Sequence, residues 1–222
     1  MKNYELTIEN GVITWVEDTD ENGDPLDGIL YIPKEAIAFS ADAWANLGCN
    51  AAGIRVHKDN PVYSSAHNCL LSKDGTKLIK VCEKSDIYRL TGIRTIGRDA
   101  FNNPGYSWIE FDLHIPDGVE LLDYRALALS ADTAKITVPA SVAFVDLLAF
   151  MIYSKRTHII FEGDPHLRIG TFGTAAEAQH SGFEVFQKMP AVLYPKAENI
   201  TVSCQPGSKV FQYCKQYGIP EV

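Results

Sequence analysis

The sequence predicts a β-rich repeat solenoid, and three observations carry that expectation. One apolar phrase recurs at fixed offsets, a strand-like alternation precedes it, and a proline stops that strand at the same place. The copies run Pro33 to Trp44, Pro116 to Leu127 and Pro139 to Phe150, with a fourth, Leu90 to Phe101, in which Leu replaces the leading Pro. In all four, apolar side chains sit three, six, ten and eleven residues after the start. They are Ala36, Phe39, Ala43 and Trp44 in the first copy and Val142, Val145, Ala149 and Phe150 in the last. Self-similarity at a period in the twenties marks coils that stack on one another and cannot bury their apolar face alone.

The chain opens with two strand-like stretches, Tyr4 to Val16 and Gly28 to Ile32, around an acidic tip from Glu17 to Asp24. Asn22-Gly23 within that tip is a hairpin signal, because both residues accept positive φ. Residues 1–27 are therefore read as an N-terminal hairpin cap. Repeats follow over 28–203, each strand (Leu30-Tyr31-Ile32, Leu113-His114-Ile115, Ile136-Thr137-Val138) ended by a residue that cannot donate to a ladder. Pro139 follows Pro116 by 23 residues, and Pro116 follows Leu90 by 26. The offsets of three after each start suit either a turn of 3₁₀ helix or a bent extended stretch. A hairpin insertion is expected near 60–81, where Asp74-Gly75 turns between two apolar runs. Residues 204–222 form the C-terminal cap: Gly207 to Gly218 reads as a helix with Ser208 as N-cap and Gly218 as C-cap. Phe211, Cys214 and Tyr217 are expected on its buried face. The whole of 1–222 is read as one domain.

Composition bounds the function more than it names it. Apolar residues make up 46% and charged residues 22% of 222 residues, so the core needs no disulfide or metal. A net charge of -8 with scattered Lys and Arg argues against nucleic acid. The most apolar stretch, Val142 to Tyr153, is too short to span a bilayer and carries Asp146. No apolar leader opens the sequence, and the cysteines (Cys49, Cys69, Cys82, Cys204, Cys214) are odd in number with no CxxC spacing. Both features point to a reducing cytoplasm.

Candidate chemistry is sparse. Asp18, Asp20, Asn22 and Asp24 satisfy the first half of a calcium-loop pattern. Pro25 and Ile29 occupy positions where the second half needs ligands, so no metal is assigned and the loop reads as a solvated tip. Cys69 near His67 or His57 is the one arrangement resembling a thiol nucleophile and its base, but no orienting Asn or Asp accompanies it. No glycine-rich phosphate loop occurs, no cofactor is implied, and Asn199-Ile-Thr201 matches a glycosylation acceptor of a kind common by chance. The better candidates are strand residues pointing away from the core: Tyr31, His114 and Thr137, one per repeat, with Glu110 and Asp112 extending the row of His114.

The recurring Ile-Pro-x-x-Val-x-x-Ile-x-x-x-Ala-Phe phrase resembles the leucine-rich repeats of the BspA-like class of bacterial surface proteins. Asn60-Pro-Val-Tyr-Ser-Ser65 with Leu71 to Ile79 is similar to the hairpin insertion of that class. Ile200-Thr-Val and Pro206 to Val222 are similar to its closing segment. The resemblance covers roughly residues 28–222. Leu127, Leu90 and an early closure around Ile169-Gly-Thr-Phe172 depart from the pattern. It implies a right-handed leucine-rich-repeat solenoid with one curved, mainly parallel sheet; with the N-terminal hairpin and C-terminal capping helix read above, the expected fold class is α/β but β-rich. It also implies a cell-surface or secreted location and adhesion or protein recognition, with no catalytic residue, while the broad row of outward side chains suits a protein or a glycan. The expected function is therefore non-enzymatic recognition through the exposed sheet face, with adhesion as one form of it. The alternatives are a self-assembling structural repeat protein and a thiol hydrolase within 45–89.

Overall fold

The computed structural model describes residues 4–24, 26–45, 47, 51–82, 85–102, 108–146, 148–168 and 200–222. The early closure at Ile169 to Phe172, Cys49 and Asn199 lie outside them. The chain forms two compact units, the first reaching to Ile93 and the second beginning at Arg94.

In the first unit, β1 (Glu5–Glu9) and β2 (Val12–Glu17) form an antiparallel hairpin. Its turn is Asn10-Gly11, with φ of 50° and 81°. This corrects the expectation that the acidic tip closes the N-terminal hairpin. Two consecutive positive-φ residues make the turn whose twist matches paired strands, so the alternation from Tyr4 to Val16 breaks in its middle. Gly11 also has no room for a side chain: a Cβ there would lie 3.1 Å from the Glu35 carbonyl oxygen and from Ile37.

Beyond the acidic tip, β3 (Ile29–Ile32) and β4 (Ala38–Phe39) flank the first proline turn, closed by Ala36 N–H donating to Pro33 O at 3.3 Å. A short helix (Ala41–Ala45) leads toward β5 (Gly53–Val56). Strand β2 pairs with β4 and β3 with β5, both parallel, as consecutive coils require. The insertion folds as β6 (Tyr63–Ala66), β7 (Cys69–Ser72) and β8 (Lys77–Lys80), paired antiparallel in that order. Asp74-Gly75 makes the second of its turns as expected, while His67-Asn68, at φ 48° and 66°, makes the first. Trp44, expected in the core, is half-buried. It packs edge-on against Phe39 and under the ammonium of the buried Lys80, 5.5 Å from the ring.

The second unit is a solenoid. Its short strands β9 (Thr95–Ile96), β11 (Leu121–Leu122), β13 (Phe144–Val145) and β15 (His166–Leu167) form one parallel ladder. Its longer strands β10 (Trp108–His114), β12 (Leu129–Val138), β14 (Ile152–Phe161) and β16 (Ile200–Ser203) form another. Where one parallel sheet is expected, two parallel ladders stand. The reason is that the residues after each proline are not helical. A single turn, with Val119 N–H on Pro116 O and Val142 N–H on Pro139 O, leads into a two-residue extended stretch that pairs with its neighbours.

A second turn follows β9, β11 and β13, where Ala100 N–H donates to Gly97 O, Ala126 N–H to Asp123 O and Ala149 N–H to Asp146 O. In the three copies of this unit the residue just before the closing Ala is left-handed without being glycine: Asp99, Arg125 and Leu148, at φ 52°, 53° and 55°. Such a conformation costs roughly 1 kcal/mol or more. The ion pair between Arg125 Nε and Asp99 Oδ1, 2.7 Å and mostly shielded, offsets part of it. The predicted inward positions are buried: Ile96, Ala100 and Phe101; Val119, Leu122, Ala126 and Leu127; Val142, Val145, Ala149 and Phe150. Phe101 meets Phe111 and Phe150 meets Phe161 in the same edge-to-face arrangement, both at 83°.

The C-terminal helix spans Lys209–Tyr217. Ser208 Oγ accepts from Phe211 N–H, and Gly218 ends the helix at φ 67°. Its buried face is Val210, Tyr213 and Cys214; Cys214 is buried as expected, while Phe211 and Tyr217 are only half-buried. The i, i+3, i+4 stripe starts one residue earlier than the aromatics suggested. Asp164 Oδ1 takes the N–H groups of Lys209 (2.7 Å) and Val210 (3.3 Å), so two carboxylate and hydroxyl acceptors share this terminus. Ser208→Ala is expected to lower stability by about 1 kcal/mol, the usual value of an N-cap hydroxyl, with Asp164 limiting the loss. Thermal melts compared with Asp164→Ala would check it; no loss in either variant would refute the capping role. Among the described residues no helix is long and apolar enough to cross a membrane.

Candidate functional site

Strand alternation sets the outer face of the β10–β12–β14–β16 ladder. Phe111, Leu113, Ala134, Ile136, Thr157, Ile159, Ile200 and Val202 turn inward and are buried. The residues between them face out, and parallel pairing places them in rows. One row is Glu110, Thr133 and Arg156; the next is Asp112, Lys135, His158 and Thr201; the third is His114, Thr137, Ile160 and Ser203. Neighbouring members of a row stand about 4.8 Å apart, the strand spacing.

Much of the first two rows lines an open concavity of ≈ 450 Å³. Within it His158 is the most constrained side chain: Nδ1 lies 2.9 Å from Thr201 Oγ1 and Nε2 lies 3.2 Å from Ser203 Oγ. Those hydroxyls reach on to the Thr157 and Val222 carbonyls, which fixes the ring over β16. Lys155 pairs with Asp132 at 2.9 Å, and Lys135 sits 3.9 Å from Asp112. Arg156 makes no ion pair with any described residue. The surface therefore combines hydroxyls with charges of both signs in a half-open setting suited to a polar ligand.

Of the residues the sequence proposed, Glu110, Asp112, His114 and Thr137 fall on this face, and His114 is the register partner of Thr137. Tyr31 belongs to the first unit. It is 50% exposed on β3, beside Arg55 in register, and lines a groove of ≈ 840 Å³ with Leu6, Ile8 and Ile29. Sequence reasoning missed Thr133, Lys135, Arg156, His158, Thr201 and Ser203. Lys135 was within reach, two residues before Thr137 on the same alternation. The β14 residues were not, because the strand Ile152–Phe161 precedes no recognisable copy of the phrase.

The acidic tip folds on itself. Asp20 Oδ1 accepts the N–H groups of Asn22 (2.8 Å) and Asp24 (3.1 Å), while the Asp18 and Asp24 carbonyls take those of Leu26 and Asp20. Among the described residues no group of three or more His, Cys, Asp or Glu converges as a metal site. Cys69 donates toward His67 O at 3.6 Å, and burial pushes its thiol up to about 11. A thiol neutral at physiological pH makes a poor nucleophile. Because the folded value is raised, its contribution to stability is full below the ordinary thiol value and is lost as pH rises through about 11. Alkylation of native Cys69 should be far slower than of the unfolded chain at neutral pH; equal rates would contradict the burial.

No protein-family model matches the chain, and no curated protein matches its sequence. A solved structure similar to it is the pneumococcal vaccine antigen PcpA, at 14% identity and a TM-score of 0.48. The match covers 89% of this chain and 56% of that one, so the chain spans just over half of that structure.

Proposed function

We propose that this protein is a non-enzymatic recognition module of the leucine-rich-repeat kind. It holds a macromolecule against the outer face of the β10–β12–β14–β16 ladder. The observation that carries this reading is the three rows of outward polar side chains in parallel register. Rigid, preformed rows avoid much of the ordering cost of binding. The repeat phrase supports a right-handed winding of BspA-like type, and the doubly capped helix after β16 fits the role of a closing element. Adhesion is the biological form such a module takes if the protein reaches a cell surface.

The test is steric. A panel of immobilised extracellular polysaccharides and matrix proteins is offered to the wild-type chain, to Thr133→Trp with Thr137→Trp, and to Tyr31→Ala. Binding abolished by the paired tryptophans and kept by Tyr31→Ala supports the face. Binding kept by the tryptophan variant, or no binder in the panel, refutes it.

A further inference from the structure

Lys135, Lys155, Arg156 and His158 cluster on two adjacent strands of a chain that carries 28 acidic and 20 basic side chains overall. We infer that the β12–β14 part of the outer face is a subsite for the anionic groups of an acidic polysaccharide, with Arg156 as its principal contact. This rests on the recognition role proposed above and specifies its ligand.

Charge state is the first argument. Of the three cations Lys135, Lys155 and Arg156, Lys155 is held by Asp132 and Lys135 lies near Asp112. The exposed Arg156 guanidinium has no counter-ion among the described residues and faces the ≈ 450 Å³ concavity. A planar fork of donors there matches a carboxylate or sulfate. His158 stands in the next row on the same strand, its ring anchored by two hydroxyls. Asp112 and Asp132 each sit beside one lysine, and the remaining acid of these rows, Glu110, is two strands from Arg156, about 10 Å away at ordinary strand spacing. Screening within roughly 8–10 Å at physiological salt leaves the local cluster, not the net charge, to set the potential that a bound anion meets.

The rest of the face favours saccharide over protein. Its described outward positions around the cations are hydroxyls (Thr133, Thr137, Thr201, Ser203), with Ile160 the lone aliphatic in the rows. Protein interfaces concentrate their energy in desolvated aromatic and aliphatic anchors. A hydroxyl-rich polymer with spaced carboxylates needs what is present instead: a donor or acceptor at each strand step and a cation within reach.

Calorimetry with the full chain uses four probes: polygalacturonate, heparin, neutral dextran and poly-glutamate. The expected result is binding to at least one acidic polysaccharide, weakened by added salt, with none to dextran. Arg156→Ala should weaken that binding about tenfold, the value of a charge-assisted hydrogen bond, and Arg156→Lys should restore part of it. Asp112→Asn, which frees Lys135, should tighten it. Silence from both acidic polysaccharides, equal binding of dextran, or indifference to Arg156→Ala overturns the inference. Tighter binding of poly-glutamate than of either polysaccharide overturns it in favour of an acidic polypeptide. A neutral ligand still blocked by the Thr133 and Thr137 tryptophans would end this inference while leaving the recognition role standing.

Discussion

Asn60→Ala is expected to lower the unfolding free energy by about 3–5 kcal/mol, from several buried backbone groups losing their partner at once. Asn60 is fully buried, and its amide makes four hydrogen bonds. Nδ2 donates to Pro33 O (2.8 Å) and Ala36 O (2.7 Å), and Oδ1 accepts from Val62 N–H (2.9 Å) and Tyr63 N–H (2.8 Å). The side chain thus ties the first proline turn to the start of the hairpin insertion. Asn60→Asp separates geometry from size: it keeps the acceptor but loses both donors and buries a charge, so it should be at least as damaging. Urea titrations of both variants give the answer, and a loss under 1 kcal/mol in Asn60→Ala would remove the clamp from the account.

Val142→Asp is the second large effect. Val142 is 2% exposed, three residues after Pro139, at the turn that begins a repeat. An unpaired carboxylate there should cost roughly 4 kcal/mol or more and unfold the coils stacked on it. Thr137→Asp, two residues before that proline, introduces the same group on the outer face beside His114 and should change stability by about 0.5 kcal/mol or less. Equal loss in the two variants would show that inside and outside have been exchanged.

The apolar positions of the repeat were legible because burial is a demand made separately on every coil. In the second unit the residues at three, six, ten and eleven all leave water, and that repetition is visible in the residues alone; Phe39 and Trp44 of the first copy are only half-buried. Asp74-Gly75 and Ser208 were legible for a similar reason, since the chemistry of a turn or a cap is satisfied within a few residues. The Asn10-Gly11 turn was equally local and still misread. Asn22-Gly23 offered the same signal, and only the pairing of β1 with β2 decides between them.

Other features depend on partners far apart in sequence. Asn60 looks like any loop asparagine until Pro33 and Ala36 are brought beside it. His158 gains its fixed orientation from Thr201 and Ser203, more than forty residues on. Lys135 and Arg156 become neighbours on one face through parallel register, which a period with insertions leaves undefined.

That similar coils stack, and which side of each coil is dry, follows from the order of residues along the chain, because side-chain hydrophobicity acts residue by residue. Tertiary structure alone decided that the stretch after each proline pairs into a second ladder. It likewise decided which polar side chains share a row, because hydrogen-bonded register is a relation between coils and belongs to neither of them.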